Sequence, residues 1–196
     1  MNQKAKRDAL LNFVFKRSFQ RGAFELSSGR RSDFYIDVKQ TTLDPEGSLL
    51  VAEMMLHEVM SSRIDSIGGL TLGADPIIGS VVMLSAQRNH PIRGFIVRKG
   101  AKGHGKGGLI EGRIKEGDRV IIIDDVITTG SSAYKAVQAV EELKCKVVKV
   151  VPLVDRNEGG REFFESKGYE YNPIIRMEEI FTLEKTLCDT HKRVPL

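Results

Sequence analysis

Cysteine is scarce: 196 residues contain only Cys145 and Cys188. Two cysteines so far apart supply neither a disulfide framework nor a cysteine-rich zinc site, and a reducing, cytoplasmic setting is the expectation. Long hydrophobic runs are missing as well. None approaches the roughly 20 residues needed to span a bilayer, and the apolar stretch near the N-terminus carries charges, unlike a signal peptide. No membrane partner is expected. Internal repeats, low-complexity tracts and Pro/Ser-rich linkers are absent. The four histidines show no metal-ligand spacing, so no dedicated zinc site is expected, and nothing suggests a Ser-His-Asp triad. Charge of one sign is also in short supply. Lys and Arg number 30 against 26 Asp and Glu, a net +4 spread along the chain. That balance permits nucleic-acid binding without demanding it and equally suits small polyanionic substrates, so charge alone decides nothing; with the basic residues dispersed, no nucleic-acid partner is expected.

What is present is ordinary for a soluble globular chain: 41% hydrophobic and 29% charged residues. The length suits a single domain over 1–196. The pattern predicts a first helix over 3–19 and two short strands around a turn at Ser28-Gly29 within 24–39. A helix then opens at Asp44-Pro45, with Asp as cap, Pro in the first turn, and Leu49, Ala52, Leu56 and Val59 at helical spacing. Beyond Ile64 strand and helix alternate: strands at 66–70, 91–97, 119–124, 147–155 and near 173–176; helices at 75–89, 131–143, 159–167 and from about 178. Repeated β-α-β units imply a doubly wound parallel sheet, whose ligands bind beyond the carboxyl ends of its strands.

The most informative stretch is VIIIDDVITTGSSAYKAV, 120–137. A buried β-branched run leads into Asp124 and Asp125, then Thr128, Thr129, Gly130, Ser131 and Ser132 open a helix. Adjacent carboxylates at such a place are costly unless cations or hydroxyls pair with them. A loop of hydroxyl residues and Gly at a helix N-terminus suits a phosphate, through converging N–H groups and the helix dipole. Together they fit a sugar phosphate, with phosphate in the loop and ribose hydroxyls on the acids. A plain strand–cap–helix junction accounts for one hydroxyl and one acid, not for DD followed by TTGSS. This stretch is neither a Walker loop nor a G-x-G-x-x-G fingerprint. A second element, RKGAKGHGKGG at 98–108, combines glycine with Lys, Arg and His and has no acid. Following a predicted strand, it reads as a cationic lid over a polyanion.

VIIIDDVITTGSS resembles the phosphoribosyl-pyrophosphate (PRPP) motif of the type I phosphoribosyltransferases, and RKxAKxHGxGG resembles the catalytic loop of orotate phosphoribosyltransferases. FELSSGRRSDFYIDVK (24–39) is similar to that family's N-terminal hood, and VPLVDRNEGG (151–160) to a strand end that supplies an orotate-binding arginine. The resemblance implies an α/β fold: a doubly wound parallel sheet of the type I phosphoribosyltransferase kind, with residues up to about 40 contributing a small hood. It implies transfer of phosphoribosyl from PRPP to orotate, giving orotidine 5′-monophosphate and diphosphate. Arg98, Lys99, Lys102 and His104 would contact the diphosphate of PRPP. Asp124 and Asp125 would hold the ribose, and Val126, Ile127, Thr128, Thr129, Gly130, Ser131 and Ser132 would complete the PRPP site. Lys102 and Asp125 would be catalytic, and Thr128 and Arg156 would bind orotate. Mg²⁺ is the implied cofactor, held mainly through PRPP with no direct protein ligand. A homodimer is implied, its 98–108 loop reaching the neighbouring site. Ser27 stands where some relatives carry Lys, and the turn GGLTLGADP (68–76) has Leu72, Gly73 and Ala74 at the family's pyrophosphate-binding place, leaving backbone amides. Purine phosphoribosyltransferases fit the loop and Arg156 less well, and a PRPP-sensing regulator fits the retained Lys102 less well.

Overall fold

Apolar β-branched runs form the sheet and amphipathic segments between them cover both of its faces. The computed structural model describes residues 2–25, 29, 31–100 and 108–192. In chain order these form α1 (Gln3–Ser18), β1 (Phe19–Glu25), β2 (Arg31–Ile36), the single turn α2 (Lys39–Thr42), α3 (Pro45–Met60), β3 (Ser66–Leu70), α4 (Asp75–Gln87) and β4 (Arg93–Val97). There follow β5 (Ile110–Gly112), β6 (Arg119–Ile127), α5 (Ser131–Glu142), β7 (Lys146–Asp155), α6 (Gly160–Ser166), β8 (Glu170–Tyr171), β9 (Ile175–Arg176) and α7 (Met177–Lys192).

Among the described residues the main sheet runs β5-β4-β3-β6-β7-β8, with β9 also on β7. Its pairings are parallel except β4 with β5. Successive residues of β6 face opposite sides: Ile121 and Ile123 join the core under α1, α3, α4 and α7, whereas Val120 and Ile122 join the core under α5 and α6. Both faces are therefore covered, as a near-continuous apolar strand requires. From β3 the chain moves outward to β4, and from β6 it moves the other way to β7. Between β3 and β6 the order reverses, which opens a crevice beyond their carboxyl ends.

The predicted elements are largely present, with informative differences. Asp44 caps α3 as expected, its Oδ1 accepting the Glu46 and Gly47 amides at 2.9 and 3.1 Å. Ala52, Leu56 and Val59 are buried, but Leu49 is 52% exposed. The strand expected over 119–124 continues to Ile127, because Val126 and Ile127 go on pairing with Val154 and Asp155 of β7. Asp124 and Asp125 therefore lie within a strand rather than beyond one. The strand expected from 91 starts at Arg93, two residues past Pro91, which has no N–H to offer a ladder. β5, α2 and β8 were not anticipated.

The N-terminal hood is the antiparallel hairpin of β1 and β2. Its root is aromatic: the Phe19 ring lies 5.7 Å from Phe15 of α1, and the Phe34 ring 5.3 Å from Phe181 of α7, edge to face. Arg21 stacks 4.8 Å from the Phe181 ring and pairs with Glu184 at 2.8 Å. The hairpin is thus fixed against the first and last helices.

Candidate active site

β6 carries its two acids toward the crevice, and each has a different environment. Asp124 is 8% exposed, whereas Asp125 is half-buried. The Asp125 amide donates to Asp124 Oδ1 at 3.0 Å, and the Val126 amide to Asp125 Oδ1 at 2.8 Å. Burial first, and then the charge of Asp125, push the Asp124 carboxyl well above the ordinary carboxylate range. A cation or a pair of hydroxyl donors arriving here would relieve that repulsion and be held for doing so.

Opposite the acids runs the turn after β3. Its Thr71–Leu72 peptide is cis. Gly73 approaches so closely that a Cβ there would collide with the Asp125 carboxylate. The turn and the acids line a cleft of about 390 Å³ together with Lys39, Leu70, Lys99, Val126 and Ser132.

On the far side of β6, α5 begins at Gly130, whose φ of 86° is a left-handed conformation that favours glycine. A side chain at 130 would also meet the Phe163 and Phe164 rings. No side chain caps this helix, and its first turn holds no acid. Its leading amides and the exposed Thr129, Ser131 and Ser132 thus present donors and a positive dipole end to any anion above them.

Of the residues expected from sequence, Lys99, Asp124, Asp125, Val126 and Ser132 share this cleft. Thr128, Thr129, Gly130 and Ser131 continue directly from it into α5. Ile127 turns its side chain into the core, 2% exposed, so only its backbone faces the loop. Arg98 sits at the base of the Gly/Lys-rich segment and pairs with Glu111 of β5 at 3.4 Å. Lys102, His104 and Ser27 lie outside the described residues.

Arg156 is not among the residues lining the cleft. It follows β7, its amide donating to the Ile127 carbonyl at 2.9 Å. Its guanidinium lies 4.7 Å from the Phe34 ring of the hood and pairs with Glu158 at 2.8 Å. The hood thus meets the end of β7 through one cation–aromatic contact, and the candidate site has two parts: the cleft at β3 and β6, and the Arg156–Phe34 pair beside it.

Lys39 was missed. It stands at the close of the hood segment and reaches into the cleft, its ammonium 2.7 Å from Asp37. The hydrogen bond to Asp37 raises the Lys39 pKa above its ordinary value, and Asp125 adds to the effect. The signal available in sequence was a lone cation two residues after Asp37, at the end of FYIDVK.

Residues 92–168 match the family model described as the phosphoribosyl transferase domain. Over 187 residues the chain is 42% identical to the orotate phosphoribosyltransferase of Rhodopseudomonas palustris strain TIE-1, covering 93% of this chain and 100% of that protein. It is 43% identical over 178 residues to the orotate phosphoribosyltransferase of Aquifex aeolicus strain VF5, covering 89% and 97%. The crystal structure of Mycobacterium tuberculosis H37Rv orotate phosphoribosyltransferase in complex with PRPP matches this fold with a TM-score of 0.76 at 34% identity, covering 89% of this chain and 98% of that one.

Proposed function

This chain belongs to the orotate phosphoribosyltransferases, and on that premise we propose that its β3–β6 crevice binds PRPP and passes the phosphoribosyl group to orotate. The observation that carries the reading is the pairing, in one short stretch of chain, of an acid pair, one buried and one half-buried, with an uncapped helix start. Asp124 and Asp125 accept from the ribose 2′ and 3′ hydroxyls, while the α5 amides and the 128–132 hydroxyls take the 5′-phosphate. Thr128 and Arg156 hold orotate. The planar fork of Arg156 suits a carboxylate, and the Phe34 ring keeps it oriented.

The C1–O bond to diphosphate breaks with its electron pair leaving on oxygen, N1 of orotate bonds to C1, and the proton that N1 carried passes to the departing diphosphate. The transition state is cationic at the sugar, so the protein works by positioning and by meeting the charge that grows on diphosphate. Asp125, the more open acid, takes the catalytic role at that centre. The carboxylate oxygens of the acid pair are hard donors that suit Mg²⁺, although the ion would be held mainly through PRPP. When bound, it neutralises charge on the leaving group. Arg98, Lys99 and Lys102 add cations at the same end, His104 adds a further contact there, and closure of the 98–108 loop would exclude water.

The reading includes one domain over 1–196, a homodimer whose 98–108 loop serves the neighbouring site, and a cytoplasmic location. Among the described residues no helix is long and apolar enough to cross a membrane.

The test follows loss of orotate's ultraviolet absorbance with PRPP and Mg²⁺, beside wells holding uracil, hypoxanthine, adenine and xanthine. Turnover of orotate that needs both PRPP and Mg²⁺ is expected. Turnover of another base instead would overturn the substrate. Lys102→Ala should lower kcat by about 100-fold or more while PRPP binding changes little. Equal losses in both would remove Lys102 from its catalytic role.

A further inference from the structure

We propose that Lys39 is a diphosphate-binding residue of this site, gripping the leaving group of PRPP across from the Thr71–Gly73 turn, with Asp37 as the residue that positions it. The inference rests on the phosphoribosyl-transfer reading and adds to it a residue from outside both sequence motifs.

The turn after β3 cannot do this work with side chains. Leu72 is apolar and 65% exposed, Gly73 has no side chain, and Ala74 is buried. The Thr71 hydroxyl is committed to Asp75 at 2.7 Å. A polyanion lying there would find amides on one wall and the carboxylates of Asp124 and Asp125 on another, which repel it. Among the described residues that line the cleft, the cations are Lys39 and Lys99. Lys99 is exposed at the start of the Gly/Lys-rich segment. Lys39 is half-buried in the framework and needs no closing movement to be present.

Asp37 is built as a mount for it. Its Oδ1 accepts the Lys39 amide at 3.2 Å and pairs with the Lys39 ammonium at 2.7 Å, while its Oδ2 accepts from Gln40 at 3.3 Å. Besides the ammonium, the Asp37 carboxylate is held by a backbone amide and by Gln40, so it orients the lysine instead of following it. Between substrates the ammonium is shared between Asp37 and the field of Asp125. A diphosphate arriving with its metal would offer a stronger partner at the same place. The 5′-phosphate has the α5 start, and Arg156, the expected partner of the orotate carboxylate, does not line this cleft, so the diphosphate is the occupant favoured.

The experiment titrates the wild type, Lys39→Met, Lys39→Arg and Asp37→Asn with inorganic diphosphate plus Mg²⁺ and, separately, with ribose 5-phosphate, which lacks the leaving group. Steady-state KM values for PRPP and orotate are measured beside them. Lys39→Met should weaken diphosphate and raise the KM for PRPP by about tenfold or more, leaving ribose 5-phosphate and the KM for orotate unchanged. Lys39→Arg should recover most of the loss, and Asp37→Asn should reproduce it in smaller degree, with the same selectivity. Equal weakening of diphosphate and ribose 5-phosphate would overturn the assignment in favour of a role on the acid pair. A rise confined to the KM for orotate would move Lys39 to the base, and unchanged constants would exclude it from the site. If Lys39→Met does not fold, the other two variants decide by the same ligand comparison. Failure of the wild type to bind PRPP would defeat the transfer reading itself, a result distinct from any of these.

Discussion

The carboxylate of Asp125 occupies the place where any residue other than glycine at position 73 would put its Cβ. Gly73 belongs to the turn after β3 and Asp125 to β6, so the two meet across the cleft that both line. Gly73→Ala should therefore displace Asp125 and break the bond from the Val126 amide to its Oδ1. Because the clash falls on a half-buried side chain and not on backbone, the cost should fall on activity rather than folding. A drop in kcat/KM of about tenfold or more, near 1.4 kcal/mol, with little change in melting temperature is the expected outcome. Unaltered kinetics would show that the carboxylate position is unimportant.

Arg156 and Phe34 give a second expectation. Removing the fork in Arg156→Ala should raise the KM for orotate by about 30-fold, roughly 2 kcal/mol for a charged hydrogen bond. The KM for PRPP should hardly move. Lys at 156 should recover little, since a point charge cannot replace a planar pair of donors. Phe34→Leu should weaken orotate more mildly, by loosening the guanidinium. If both variants raised the KM for PRPP instead, Arg156 would belong to the other substrate.

At the opposite end of the sheet, Asp118 gathers the starts of three strands. It accepts from Arg93 at 2.9 Å, from the Lys115 amide at 2.9 Å and from Ser66 at 3.3 Å. Burial works to raise its carboxyl, but these donors overcome it and leave the pKa below the ordinary carboxylate value. A depressed carboxyl stabilises the fold above its unfolded pKa, and that contribution fades as pH falls through the folded value. Asp118→Asn should cost about 2 kcal/mol near neutrality, or some 4–8 °C in melting temperature. The gap from wild type should narrow below about pH 4. A gap that stayed constant through acid would contradict the ionic origin.

The parts legible in sequence were those whose chemistry is local. Asp124 through Ser132 are consecutive, so strand, acids and helix start could be read together, and the capped start of α3 likewise. The extension of β6 to Ile127 was hidden because acids usually end a buried strand; here continued pairing with β7 outweighs them. β5 has three residues and includes Gly112, too few for alternation to show. Leu49 fits the helical period yet faces outward, since periodicity marks a stripe but not its edge. Lys39 and the Phe34–Arg156 contact depend on segments far apart in the chain meeting, and no local pattern announces that.

The aromatic root of the hood also bears on the order in which the molecule is assembled. Phe34 leans on Phe181, which belongs to the last helix of the chain. During synthesis the strands that carry Asp124 and the α5 start are complete well before that helix leaves the ribosome. The strands of the hood are made early, yet they acquire their rigid backing only when α7 docks.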